Sequence, residues 1–247
     1  MGFAAWALHF ARNQDQFSWI DASNDAPLNP LERVRITRSI QQFQHGENSE
    51  GRHLMDRASE LRDSGYVESI RLFIREEQAH ARALAAFMDA QGIARIKKHW
   101  VDTIFRRLRA YGGLETSVRV LITAEIISAV YYQALHDATP SPFLRSICTQ
   151  ILEDEEHHIA FQSEALRRCS MRRHPIPRFF ISWMHRVLLS GTITIVWLGH
   201  RGVLTAGLYS YATFFASVWQ VWRRANGMIT GRLPVVVQTM RRMRMAA

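Results

Sequence analysis

Cysteine is almost missing: Cys148 and Cys169 are the two in 247 residues. Two thiols cannot build a disulfide framework, a four-cysteine zinc site or an iron–sulfur cluster, and their scarcity fits a reducing compartment, the cytoplasm. The first residues, Met1 to Phe10, lack the basic start of a secretory signal, and His9, Arg12 and Asn13 break the apolar run, so an ordinary helical or frayed start is expected. No stretch alternates apolar and polar residues over a useful length, so no strand is predicted. Acidic residues are missing from the last third. Residues 172–247 carry 11 Arg and no Asp or Glu, whereas residues 1–171 carry 20 Lys+Arg against 22 Asp+Glu. The net charge of +9 therefore belongs to an apolar, aromatic, cationic tail on a near-neutral body. Apolar residues at 47% and charged residues at 21% exclude a wholly disordered chain. The expected division is an N-terminal extension over 1–33, a helical body over 34–171 and a helical extension over 172–247.

What is present in the body is four helical periods in two hairpins. Ile36, Ile40, Phe43, Glu47, Glu50, Leu54 and Ala58 advance by three or four and predict one helix from Val34 to about Arg62. Asp63-Ser64-Gly65 supplies a turn. Val67, Ile70, Ile74, Glu77, His80, Leu84 and Phe87 predict a second helix, stopped by Gly92. A third runs through Leu114, Val118, Leu121, Glu125, Ser128, Tyr132 and Leu135 until Thr139-Pro140-Ser141-Pro142, which no helix interior tolerates. Leu144, Ile147, Ile151, Glu155, His158, Phe161 and Ala165 predict the fourth. The Arg-rich stretch Gly92 to Gly113 is too long for a tight connection and reads as a crossover.

Glutamates and histidines stand in the apolar stripe of all four helices. Glu77 with His80, and Glu155 with His158, are three apart, which puts each pair on one helix face. Hairpin symmetry brings a lone glutamate level with each pair: Glu125 and Glu155 are equidistant from residue 140, and Glu47 and Glu77 from residue 62. A shift of 78 residues also maps Glu47, Glu77 and His80 onto Glu125, Glu155 and His158. Four buried carboxylates would cost several kcal/mol each without compensation, so either they form a solvated acidic face or cations neutralise them. Two divalent cations with four carboxylates and two neutral imidazoles make a neutral cluster, and oxygen and imidazole donors suit iron or manganese. Glu50 fits the first hairpin as well as Glu47 does; the repeat favours Glu47 as ligand, leaving Glu50 as a neighbouring proton-handling group or an arginine partner. His157 points away from the cluster, and Tyr132 is either a redox tyrosine or ordinary core.

This pattern resembles the ferritin-like di-iron and di-manganese carboxylate superfamily, in which two helices of a bundle each carry Glu and two carry Glu-x-x-His. Phe43-x-x-Gly46-Glu47-x-x-x-x-Arg52 is similar to the first ligand helix of rubrerythrin-type members, and Asp154-Glu155-x-x-His158 to the fourth-helix motif of rubrerythrins and the ribonucleotide reductase small subunit. The resemblance covers about Val34 to Arg168. It implies an all-α, ferritin-like four-helix bundle, to which the tail's own composition would add C-terminal apolar helices, and two iron ions, with manganese as the alternative. The implied ligands are Glu47, Glu77, His80, Glu125, Glu155 and His158, with Asp154 bonded to His80 and, by symmetry, Glu76 to His158. The implied activity is an O₂-activating oxidoreductase of hydroxylase, oxidase or desaturase type on an unidentified substrate, for which the apolar tail suggests an apolar molecule; with no Cys₄ module, turnover needs an external electron donor or a substrate that supplies the electrons. The competing readings are a ferroxidase or peroxide-scavenging protein, and a membrane-associated protein with a structural metal site.

In the tail, Val187 to Gly199 and Gly202 to Trp222 are uncharged runs of 13 and 21 residues closed by arginines. The first is too short to span a bilayer and the second just reaches the required length of about 20 residues. Trp and Arg at the run ends suit interfacial anchoring, so the tail is expected to rest on the inner face of a membrane, to span it, or to pack as soluble helices on the bundle. Nucleic-acid binding is not expected, since the arginines flank apolar runs rather than line a polar groove.

Overall fold

The computed structural model describes residues 2–18, 25–48, 51–96, 112–171 and 174–235, and among these every regular element is a helix. In chain order they are α1 (Phe3–Arg12), α2 (Pro30–Glu47), α3 (Arg52–Ala58) with a 3₁₀ turn at Ser59–Leu61, α4 (Ser64–Ala90), α5 (Leu114–Ala138), α6 (Pro142–Met171), α7 (Pro175–Ala206) and α8 (Tyr211–Ile229). The long helices α2, α4, α5 and α6 form the bundle, and their boundaries follow local chemistry. Asn29 caps α2 in a reciprocal box with Glu32, with Pro30 in the first turn. The Asp63 side chain accepts from Tyr66 N to start α4. Gly92, at φ 61°, ends α4 as expected, and Ile93 N–H reaches back to the Met88 carbonyl at 2.8 Å. The crossover falls mostly outside the described residues.

The first helix departs from expectation. The stripe from Ile36 to Ala58 is carried by two helices rather than one, because Gly51 adopts left-handed φ of 61° at the start of α3. A side chain there would run into Ile74, so the break lets α3 lie against α4. Ile36, Ile40, Leu54 and Ala58 are nevertheless all buried. Burial of a stripe does not require an unbroken helix.

Helices on either side of the bundle join its core. Phe3, Trp6 and Phe10 of α1 are fully buried in the same cluster as Leu84 of α4 and Phe161 of α6, and α1 packs along α4. After the bundle, α7 packs on α5 and α2, and α8 on α6 and α5. The two uncharged tail runs are not two helices. The first lies within the 32-residue α7, which continues through His200 and Arg201 with a kink at His200 (φ −121°, ψ 17°). The second is split at 207–210, where Leu208 is left-handed and Ser210 caps α8 in a box with Thr213. The run 202–222 is thus no single span. Leu114–Ala138 and Pro177–Ala206 are the stretches, among the described residues, long and apolar enough to cross a membrane. The first has 78% of its apolar window buried, as a core helix does, and the second 22%.

Candidate metal centre

Glu47 ends α2, Glu77 and His80 lie one turn apart on α4, Glu125 is on α5, and Glu155 and His158 are one turn apart on α6. The packing of these helices brings all six side chains to one place in the interior. Glu77 sits between the two histidines: its Oε1 is 3.4 Å from His80 Nδ1 and 3.2 Å from His158 Nδ1. His80 Nδ1 also faces Glu47 Oε2 at 4.0 Å. His158 Nδ1 faces Glu125 Oε2 at 3.7 Å and Glu155 Oε2 at 3.8 Å. Two trios result, Glu47, Glu77 and His80, and Glu77, Glu125 and His158, each with donor atoms within 4.8 Å of one another. Glu50 lies outside the described residues.

The donor atoms are unsatisfied in a way that suits cations. Glu77 Oε1, His80 Nδ1, Glu125 Oε1, Glu155 Oε2 and His158 Nδ1 are all buried without a hydrogen-bond partner. A buried polar atom left unpaired costs about 1–3 kcal/mol, and here five are gathered in one small volume. Protons alone relieve this partly. Burial and then the neighbouring Glu77 push the Glu47 carboxyl well above its usual range, and burial and then Glu125 do the same to Glu155. Burial works to lower His80 and His158, but the carboxylates around them outweigh it and hold both well above the ordinary histidine value. Oxygen-rich, thiolate-free donors with two imidazoles fit two divalent iron or manganese ions.

The far sides of the imidazoles are fixed. His80 Nε2–H donates to Asp154 Oδ2 at 3.0 Å, and His158 Nε2–H to Glu76 Oε2 at 2.8 Å. With one proton held on Nε2, loss of the other leaves the Nδ1 lone pair of each ring turned to the cluster. Burial would raise Asp154, but the hydrogen bond and charge of His80, with a further bond from Asn13, hold it below its usual range. Phe10 and Phe73 stand 6.0 and 4.7 Å from the His158 ring, and Phe17 stands 5.8 Å from that of His80, so the histidines are walled by hydrocarbon. His157 lies outside the cluster, with its ring 4.2 Å from that of His9.

Several contributors escape a reading of the sequence. Asn13 Nδ2 donates to Glu76 Oε1 and to Asp154 Oδ1, and Gln16 Nε2 donates to Asp154 Oδ2 at 3.2 Å. No periodicity marks either residue. Trp6 Nε1–H, bonded to Glu164 Oε2 at 3.0 Å, fastens α1 to α6. Ser128 donates to Glu155 Oε1 at 2.8 Å; its place one turn after Glu125 was the available signal. Tyr132 donates its hydroxyl to Glu47 Oε1 at 2.7 Å, so it touches the cluster and is not merely core.

No family model matches the sequence, and no curated protein matches it. Solved structures do. Three variants of an R2-like ligand-binding oxidase with Mn/Fe cofactors superpose with TM-scores of 0.65 to 0.67 at 16–17% identity. The match covers 92–93% of this chain and 93–94% of those. At that identity the likeness establishes the fold: the chain is a ferritin-like helical bundle.

Proposed function

We propose that the chain is a dinuclear carboxylate oxidase that uses O₂ to oxidise an apolar small molecule. The carrying observation is Glu77, whose Oε1 lies between the Nδ1 atoms of His80 and His158 with no hydrogen-bond partner of its own. In this reading Glu47, Glu77 and His80 would hold one ion, Glu125, Glu155 and His158 would hold the other, and Glu77, which belongs to both trios, would serve either. The Mn/Fe cofactors of the structural neighbours support either two irons or a manganese–iron pair. Two such ions, when bound, would supply the redox chemistry that O₂ reduction requires.

The protein's own part is to position and exclude. Tyr132 and Ser128 each occupy one oxygen of Glu47 and Glu155, leaving the other oxygen of each turned to the cluster. Asp154 and Glu76 hold the histidine rings in the orientation that presents Nδ1. The phenylalanine walls keep water from the histidines and favour an apolar substrate. Reducing O₂ to water takes four electrons and four protons, of which a two-electron substrate oxidation supplies half. An external donor completes the balance.

Single turnover tests the reading. The di-ferrous protein is mixed with O₂, and oxidation of the metal is followed against an equal concentration of free ferrous iron. Oxidation faster than free iron, with about two metal ions per chain by elemental analysis, is expected. A rate no faster than free iron removes the oxidase assignment. Oxidation of many irons per chain by a very large hollow assembly would replace it with ferroxidase storage.

A further inference from the structure

One helix carries hydrocarbon on both sides. The inner face of α7 buries Leu189, Ile193, Val196 and Val203 against the bundle. His185 meets Thr123 at 3.0 Å and His200 meets Ser39 at 2.7 Å, which fastens this face to α5 and α2. The outer face carries Phe180, Met184, Val187, Ile195 and Leu198, which advance in steps that keep one side of the helix and leave a gap only at Gly191. Phe179 and Trp183 widen the stripe, and Phe180 and Trp183 are 58% and 55% exposed. From Phe180 to Leu198 the stripe runs about 27 Å. A helix apolar on both faces is ordinarily covered on both, and a continuous patch of this kind marks an interaction surface.

Charge selects the cover. Arg178 and Arg201 stand exposed along the same helix, Arg186 lies over the Trp222 ring of α8 at 5.3 Å, and residues 172–247 contain no Asp or Glu. Nearby on α2, Arg35 runs beside Gly202, with the exposed Leu31 and Val34 on the same helix. A second copy of α7 would bring arginines against arginines with no carboxylate on either helix to compensate. An anionic lipid surface accepts both parts, taking the aromatic and aliphatic side chains into the acyl boundary and the guanidinium groups onto phosphates. Spanning is disfavoured by the inner face: threading α7 through a bilayer would strip Leu189, Ile193 and Val203 from the bundle core. We infer that α7 lies in the plane of an anionic membrane surface with Phe180, Trp183, Met184 and Val187 inserted and the bundle resting above it. The inference stands on the surface of the chain and does not depend on the metal reading.

Vesicle sedimentation with the full chain tests it. Phosphatidylcholine vesicles with and without phosphatidylglycerol are used at low and high salt, with circular dichroism checking that each variant stays folded. Binding is expected only with phosphatidylglycerol and should weaken in salt. At about 1 kcal/mol per basic residue near the surface, Arg178→Glu with Arg201→Glu should weaken it more than about tenfold. Phe180→Ser with Trp183→Ser should weaken it similarly, and both positions are exposed, so folding should survive. Equal binding to neutral vesicles, no binding to either, or binding that neither pair of substitutions changes would overturn the inference. So would a dimer, seen by light scattering, that Phe180→Ser with Trp183→Ser dissolves, because a second copy would then be the cover.

Discussion

Asn13 donates to Asp154 Oδ1 at 2.8 Å, and Asp154 is the acceptor that orients His80. The same amide nitrogen bonds Glu76, the acceptor that orients His158. One side chain from the N-terminal segment therefore ties together the supports of both histidines. Asn13→Ala should weaken metal binding about 10- to 100-fold, the usual effect of losing an outer support of a ligand, while leaving the ligands in place. Titration with ferrous or manganous ion reads this directly. Unchanged affinity would make Asn13 a packing residue only.

Stoichiometry should separate the shared ligand from the others. Glu77 belongs to both trios and Glu125 to one. Glu77→Ala should therefore lose both ions, whereas Glu125→Ala and His158→Ala should each retain about one, as expected when half of a two-ion site survives. Elemental analysis after gel filtration gives the count, and a full complement in Glu77→Ala would remove it as the bridge.

The metal-free centre should hold extra protons at neutral pH. Burial and neighbouring carboxylates raise Glu47 and Glu155, and the surrounding acids raise His80 and His158 against the effect of burial. Ions would displace these protons, so affinity should rise with pH, and calorimetry in buffers of different ionisation enthalpy should record proton release. The sign for stability follows. Each of these four groups has a folded value above its unfolded one, so its stabilising contribution is complete below the unfolded value and is lost as pH rises through the folded value. The Tm of the metal-free protein should fall from the carboxylate range upward, and that of the loaded protein should not. A parallel decline in both would indicate that no ion neutralises the cluster.

The bundle and the six central residues were legible because two physical periods coincide in them. Glu77 and His80 share a helix face, and the breaks at 62–63 and 139–141 place them level with Glu47 on one side and pair Glu125 with Glu155 on the other. Such a pattern depends only on spacing, which the sequence displays. Asn13 and Gln16 act through an approach of α1 to α4 and α6 that no spacing encodes. The break at Gly51 was hidden for a related reason, since Leu54 and Ala58 stay buried after it and the stripe looks continuous. In the tail, charge was a poor guide to helix ends. Arg186 lies over the Trp222 ring of α8 and Arg201 is exposed on α7, so neither ends the helix, and the 21-residue run breaks at Leu208, where no charge marks it.

The N-terminal helix should be part of the stability of the fold rather than an appendage. Trp6 is fully buried, stacks on Phe10 with ring centroids 5.9 Å apart, and donates to Glu164. Trp6→Ala should destabilise the protein by about 3–5 kcal/mol through the cavity it leaves. Leu8→Ala, at an exposed position of the same helix, should cost about 0.5 kcal/mol or less. Denaturant unfolding of the two variants makes the comparison, and equal losses would mean that α1 is not docked in solution.

Tyr132 decides how the first trio is held. Its hydroxyl is fully buried and donates to Glu47 Oε1, and burial, then the charge of Glu47, pushes the phenol well above its usual range, so it remains a donor at any working pH. The bond leaves Glu47 Oε2 turned toward His80. Tyr132→Phe keeps the ring contacts with Phe43 and Tyr131 and removes only the oxygen. It should cost about 1–3 kcal/mol of stability, because Glu47 Oε1 becomes a buried acceptor without a donor, and it should weaken binding at the first trio while the second keeps its ion. If the tyrosine only positions Glu47, the variant loaded with both ions should react with O₂ within about tenfold of the parent, a change of 1.4 kcal/mol in barrier, and electron paramagnetic resonance after mixing should be the same in both. An organic radical signal in the parent that Tyr132→Phe lacks would instead give the residue an electron-transfer role, since the ring that remains cannot release a proton to Glu47.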